Sequence, residues 1–323
     1  MDYNHFFNTY GYAPQYGWIG YEKQLSEQDM DIIFHDEFGF GFKPGSATPK
    51  PQPEPTTPKC LTFTANEDGV SLAFFFNRNA AGDEQQNPNI TFQKSTDGGL
   101  TWEEHTIGVY NPDDGDTSDL DAIALDEGES IMFKGVNSED FTVGDPENDE
   151  GIYVGFYLDG SAAASGDITS LINGVGGDAI VQFMQFYSMF IGCTGLTQAP
   201  VLPATTLASD CYSAMFSGCT GLTQAPALPA TTLASDCYNS MFSGCTNIAS
   251  HYVATLNDST NTFYNNTSCA SFAIHAETPP TISSSTIAGL KDDCDIYVPA
   301  TSVDAYKVAQ YWSERADYIQ AIA

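Results

Sequence analysis

The sequence predicts a mainly β, multidomain chain: an N-terminal anchor segment, a proline-rich stalk, a small β-sandwich, then a short repeat solenoid with a C-terminal cap helix. Three observations predict it. Short apolar runs punctuated by Gly and Asp turns fill residues 60–160. A 26-residue unit recurs between residues 183 and 269. Six prolines between residues 43 and 59 hold both apart from an aromatic N-terminus.

Composition narrows the partners. The 323 residues suggest two or three domains. Lys+Arg number 10 against 42 Asp+Glu, a formal net charge of -32. Such a surface repels phosphate backbones and anionic bilayers, so neither nucleic acid nor membrane is an expected partner. Aromatics at 13% argue for packed domains rather than generic disorder. No run of about 18 apolar residues exists to cross a bilayer. The opening Met1-Asp2-Tyr3-Asn4-His5-Phe6-Phe7 has neither a basic nor an apolar leader region, and no early Cys offers a lipid site. The expectation is a chain without a secretory signal.

Residues 1–42 concentrate rings, with Phe6, Phe7, Tyr10, Tyr12, Tyr16, Trp18 and Tyr21 in the first half. So short a segment does not bury them alone. Two places fit them: a groove on a partner or symmetry mate, or the face of this chain's own β module. The spacer that follows favours the first. Residues 43–59 (KPGSATPKPQPEPTTPK) form neither helix nor central strand, because proline fixes φ and removes donors. In polyproline II they reach roughly 50 Å. An SH3-type ligand is the other use of such a segment, and a stalk fits this chain better.

Between 60 and 160, the runs Leu61–Thr64, Val70–Phe76, Ile90–Gln93, Ile131–Lys134 and Ile152–Phe156 read as strands of a small sandwich. Residues 161–182 look transitional, with a short helix around Ile168–Leu171. Residues 161–269 are assigned to the solenoid. There Met189-Phe190-Ile191-Gly192-Cys193-Thr194-Gly195-Leu196 returns as Met215-Phe216-Ser217-Gly218-Cys219-Thr220-Gly221-Leu222, and begins again at Met241-Phe242-Ser243-Gly244-Cys245-Thr246-Asn247-Ile248. Units that cannot bury their own apolar edge must stack. Stacking places Cys193, Cys219 and Cys245 on one ladder and Cys211 and Cys237 on another. Residues 270–323 read as a cap: a strand at Asp295–Val298, then a helix from Thr301, its candidate N-cap, running through Tyr318-Ile319.

The unit Met-Phe-x-Gly-Cys-Thr-x-Leu-Thr-x-Ala-Pro-x-Leu-Pro-Ala-Thr-Thr-Leu-Ala-Ser-x-Cys-Tyr resembles the repeats of BspA-type leucine-rich-repeat surface proteins of gut Bacteroidales. The ending from Ile296-Tyr297-Val298-Pro299 to Ala321-Ile322 is similar to that family's usual ending. The region Leu61–Ala65 through Ser95–Gly99 and Phe133-Lys134-Gly135 is similar to the β module that often precedes such repeats. The likeness spans residues 60–323. It implies adhesion through a leucine-rich-repeat-like solenoid to a host surface or mucus glycan or protein, and no catalytic residues. Exposed Thr197, Gln198, Thr223 and Gln224 are the ligand-facing candidates, although each also reads as a polar side chain that simply meets solvent.

The family is normally exported, often as a lipoprotein. An expected absence of leader, a two-unit array and an aromatic anchor point to a different carrier. The expectation is a virion surface protein, a head fibre, decoration or tail-associated component, of a phage infecting Bacteroidales. Residues 1–42 would dock on other virion structural proteins. The alternative is a bacterial cell-surface adhesin of BspA type. A homo-oligomer is left open, without heptads to support one.

Reactive chemistry finds little footing in the sequence. Ser95-Thr96-Asp97-Gly98-Gly99-Leu100-Thr101-Trp102 fits an Asp-box, a hairpin-turn device. A sialidase also needs an arginine cluster, and only Arg78 and Arg315 exist. His5, His35, His105, His251 and His275 lack metal-ligand spacing, and no phosphate-binding loop or nucleophile elbow appears. Eight Cys without C-x-x-C pairs or a secretion signal read as reduced, buried thiols. No cofactor is expected. The acidic stretch at 113–121 offers Asp114, Asp116 and Asp119 as weak Ca2+ ligands and departs from the EF-hand pattern.

Overall fold

The computed structural model describes residues 60–78, 86–110, 117–137, 139–145, 150–178 and 181–322. The aromatic segment at 1–42 and the spacer at 43–59 lie outside the described residues. The described chain is mainly β with several sheets, as expected.

Two sheets pack face to face at the start. In the first, β1 (Leu61–Ala65) lies between β7 (Ser130–Lys134) and β10 (Ala162–Ser165), and β3 (Phe92–Ser95) and β4 (Glu103–His105) extend it beyond β7. In the second, β2 (Val70–Arg78) pairs along its length with β9 (Glu150–Asp159), which also holds β8 (Thr142–Asp145). Two short strands, β5 (Gly108–Tyr110) and β6 (Ile123–Leu125), share the other edge of β2. The sheets meet through rings: Phe63 stacks on Phe156 at 4.3 Å, and Phe74 meets Phe92 and Phe133 edge-on at 5.0 Å. The unbroken apolar run of β2 has a local cause. Leu72, Phe74 and Phe76 point inward, while Ala73 and Phe75 form an outer cluster with Leu120. Gly155 makes room for that cluster, because a Cβ there would run into the Phe75 ring.

β10 is also where the repeat begins. It pairs antiparallel with β1 on one side and parallel with β11 (Leu196–Gln198) on the other. One sheet thus passes from the N-terminal module into the repeat. The approach is close: a Cβ on Gly195 would collide with the Gly160 carbonyl. The helix expected near 168–171 is a single turn, α1 (Ser170–Asn173), closed by Gly174 in the left-handed region.

From residue 184 the chain winds in stacked coils. On the turn side, alternate backbone N–H groups (Phe186, Ser188, Phe190, Gly192) donate to the next coil (Cys211, Ser213, Met215, Ser217). The intervening N–H groups close on the carbonyl three residues back, as Met189 does on Phe186. This pattern satisfies the backbone without a long strand. It demands positive φ at every fourth residue: Met184, Ser188 and Gly192 in one coil, Asp210, Ala214 and Gly218 in the next. Like rings lie over like, with Phe190, Phe216, Phe242 and Phe263 stacked at 5.5, 5.8 and 6.1 Å. Phe186, Tyr212 and Tyr238 form a second column. Opposite, the two-residue strands β12 (Thr206–Leu207) and β13 (Thr232–Leu233) pair in parallel.

The stack does not stop where the 26-residue repeat fades. Phe263 follows Phe242 by 21 residues and keeps its place in the column. Four parallel strands continue the strand side: β14 (Ser250–Val253), β15 (Ser271–Ile274), β16 (Asp295–Val298) and β17 (Ile319–Ala321). The segment 270–323 therefore adds coils as well as closing them. The terminal helix is shorter than expected. α2 (Val303–Val308) starts after Ser302 rather than Thr301, whose hydroxyl donates to Glu277 at 3.0 Å. It ends as Ala309 turns extended and Tyr311 takes φ 64°. This break buries Trp312 against Tyr306, with its indole N–H on the Pro280 carbonyl at 3.1 Å. Ile319, expected as the end of the helix, instead opens a strand, Ile319–Ala321, because this segment pairs with β16.

Candidate functional site

The surface with the most regular chemistry is the strand side of the coils. Thr197-Gln198 and Thr223-Gln224 occupy equivalent positions, 26 residues apart. Their settings differ. The Thr197 hydroxyl donates to Ala162 O at 3.2 Å and accepts from Asn66 at 3.0 Å, so it belongs to the joint with β10. Thr223 is exposed, and Gln198 and Gln224 are half-buried. The next equivalent of Gln224 is Ser250, which pairs with Ser271, and Ser271 with Asp295. Tyr252 and Tyr297 lie two residues further along their strands, with the buried His251 and Ile296 between. The polar column thus extends over β14–β16. The sequence did not reveal this half, since neither period nor residue type survives past Ile248.

The five ladder thiols lie inside. Cys219 and Cys245 donate to Phe190 O and Phe216 O, both at 3.0 Å, and Cys193 donates to Phe156 O of β9 at 3.3 Å. The first coil thus treats β9 as a preceding coil. Burial raises Cys193 and Cys245 to about 12 and Cys219 well above its ordinary value. Cys211 and Cys237 are buried neighbours, raised by burial and by each other or nearby carboxylates. Burial thus disfavours the thiolate form in all five. All eight Cys are unbridged.

Three side-chain groups resemble chemistry and serve structure. The His105 imidazole is buried, and its Nε2 accepts from the Phe74 N–H at 3.2 Å. That bond leaves the proton on Nδ1, which faces Asp121 at 3.3 Å without good alignment, while Lys94 holds the same oxygen at 3.0 Å. Burial overrides Asp121 and lowers His105 to about 4. A general base needs a free, reachable nitrogen, and this ring has neither. The Asp-box closes on itself between β3 and β4. Asp97 accepts from the Thr101 hydroxyl and N–H and from Ser95, which hold it at about 2, and Trp102 donates to Gly99 O at 3.0 Å. Arg315 spends its guanidinium on the carbonyls of Ala288, Leu290, Lys291 and Asp292, which ties it to the turn before β16.

The anchor candidates Phe6, Phe7, Tyr10, Tyr12, Tyr16, Trp18 and Tyr21 lie outside the described residues, as do Asp114 and Asp116. Asp119 is exposed in the turn before β6. Among the described residues no three His, Cys, Asp or Glu side chains converge as for a metal ion. No helix there is long and apolar enough to cross a membrane.

No family model matches the chain. A search of curated proteins likewise returned no match.

Proposed function

We propose that the protein is a non-enzymatic display protein of a virion surface. In this reading residues 1–42 anchor it to other virion structural proteins, residues 43–59 form a stalk, and residues 60–160 are a small β-sandwich. Residues 161–269 are a leucine-rich-repeat-like solenoid of BspA type, capped by 270–323. The carrier is a phage infecting Bacteroidales, and the solenoid's strand side meets a host or mucus glycan or protein.

The observation that carries this reading is the pairing of β10 with both β1 and β11. It joins the module on which the spacer enters to the coil stack through one sheet. A ligand held on Thr223 or Gln224 would be borne by a rigid body rather than a tethered loop. The side chains that mimic catalytic sets are buried or internally satisfied, which supports display over turnover. The charge of -32 supports a partner other than nucleic acid or an anionic bilayer.

Immunogold labelling of purified particles with antibody to residues 183–323 tests the proposal. Gold on intact heads or tails supports it and locates the anchor. Gold confined to bacterial envelopes overturns it in favour of a cell-surface adhesin.

A further inference from the structure

Cys269 and Cys294 stand apart from the other thiols. Their sulfurs lie 3.3 Å apart, both side chains fully buried. The ladder thiols Cys193, Cys219 and Cys245 aim at Phe carbonyls, whereas Cys269 and Cys294 hydrogen-bond sulfur to sulfur. The backbone explains the meeting. Cys269 enters β15 and Cys294 enters β16, neighbouring parallel strands in which Ser271 faces Asp295. Asp295 N–H bonds Ala270 O at 3.0 Å between them. With Ser271 opposite Asp295, Cys269 and Cys294 sit one residue out of register on neighbouring strands, and strands about 4.8 Å apart lie within the range of Cα separations that a disulfide spans.

We propose that Cys269 and Cys294 are a disulfide site that staples the last coils of the stack when the protein meets an oxidising medium. The inference stands independently of the virion reading. With a glutathione-type disulfide as oxidant, one Cys thiolate attacks a sulfur of the oxidant and releases one small thiol. The second Cys thiolate attacks the mixed disulfide and releases the other. Two thiols are oxidised, one oxidant disulfide is reduced, and both protons end on the released thiols. The buried pair is shielded from a tripeptide in the closed coil, so exchange runs through opening of the terminal coils. Only β17 and the cap lie beyond them, and opening is least costly at the end of a stack.

The test uses the full chain, incubated under native conditions with oxidised glutathione and compared with a phosphine-reduced sample. Thiols are counted after denaturation and crosslinks located by peptide mapping. The expected result is loss of two of the eight thiols, one crosslink joining Cys269 to Cys294, and a midpoint of thermal unfolding higher by about 5–10 °C. Cys269→Ser and Cys294→Ser should each abolish the loss. Because the map is read on the unmodified chain, a variant that fails to fold leaves the test intact. Retention of all eight thiols, or a crosslink between other cysteines, overturns the proposal.

Discussion

Asn266 donates from Nδ2 to the Phe242 carbonyl at 2.7 Å, in the place where Cys219 and Cys245 donate to Phe190 and Phe216 at 3.0 Å. The same amide's Oδ1 meets His251 Nε2 at 2.8 Å. A different side chain thus continues the ladder's bond after the cysteines end, and the ladder's constant is an acceptor to satisfy rather than a thiol. Asn266→Ala should cost about 1–3 kcal/mol, because His251 Nε2 loses its buried partner and the Phe242 carbonyl keeps only the Cys245 N–H at 3.1 Å. Asn266→Cys should recover part of it, serving the carbonyl but not His251. Urea unfolding of both variants measures the difference.

Stability should fall in mild acid through three histidines. Burial lowers His105, His251 and His275 each to about 4, from 6.5. Between those values the unfolded chain takes up protons that the folded chain refuses. The stabilisation is complete above pH 6.5, declines as pH falls toward 4, and changes no further below it. Each histidine contributes on the order of 2–4 kcal/mol across that window. A series of urea midpoints from pH 7.5 to 4 checks the slope, and His251→Gln should flatten it.

Ala214 carries φ 52° at the position where Ser188 and Ser240 do the same. A left-handed non-glycine residue costs roughly 1–2 kcal/mol, part of which glycine returns as unfolded-state entropy. Ala214→Gly should therefore stabilise by about 0.5–1 kcal/mol, read as a rise in thermal midpoint.

Gly192 and Gly195 sit three residues apart and serve different ends. Gly192 has φ 70° with open space around it, so Gly192→Ala should cost about 1 kcal/mol in backbone conformation alone. At Gly195 an added methyl meets the Gly160 carbonyl, so Gly195→Ala should cost about 3 kcal/mol or more and loosen β11 from β10. Hydrogen exchange at Ala162 N–H, bonded to Gly195 O at 3.1 Å, reports that loosening directly. The third repeat accommodates a side chain at this position: Asn247 replaces the glycine and donates to Thr220 O at 2.8 Å.

Much of the architecture was legible in local patterning. Short apolar runs with Asp-Gly turns mark strands because the pleat alternates faces. The exact spacing of Phe190, Phe216 and Phe242 forces like over like. The Asp-box announces its hairpin because its bonds are made within eight residues. What escaped was non-local. Phe263 and Asn266 hold the places of Phe242 and Cys245 with a shorter spacing and altered chemistry, so no periodicity marks them. Thr301 reads locally as a helix N-cap, yet its hydroxyl goes to Glu277, a contact no local rule contains.

By itself the sequence determined the mainly β class and the register of the first coils, since each rests on neighbours along the chain or on an exact repeat. Tertiary structure alone decided that β10 belongs to two pairings, that Cys193 uses β9 as its preceding coil, and that Ile319 begins a strand rather than ending a helix. The reason is the same in each case. A sheet edge or a buried carbonyl must be satisfied by whatever group folding brings beside it, and that group's identity is written far away in the chain.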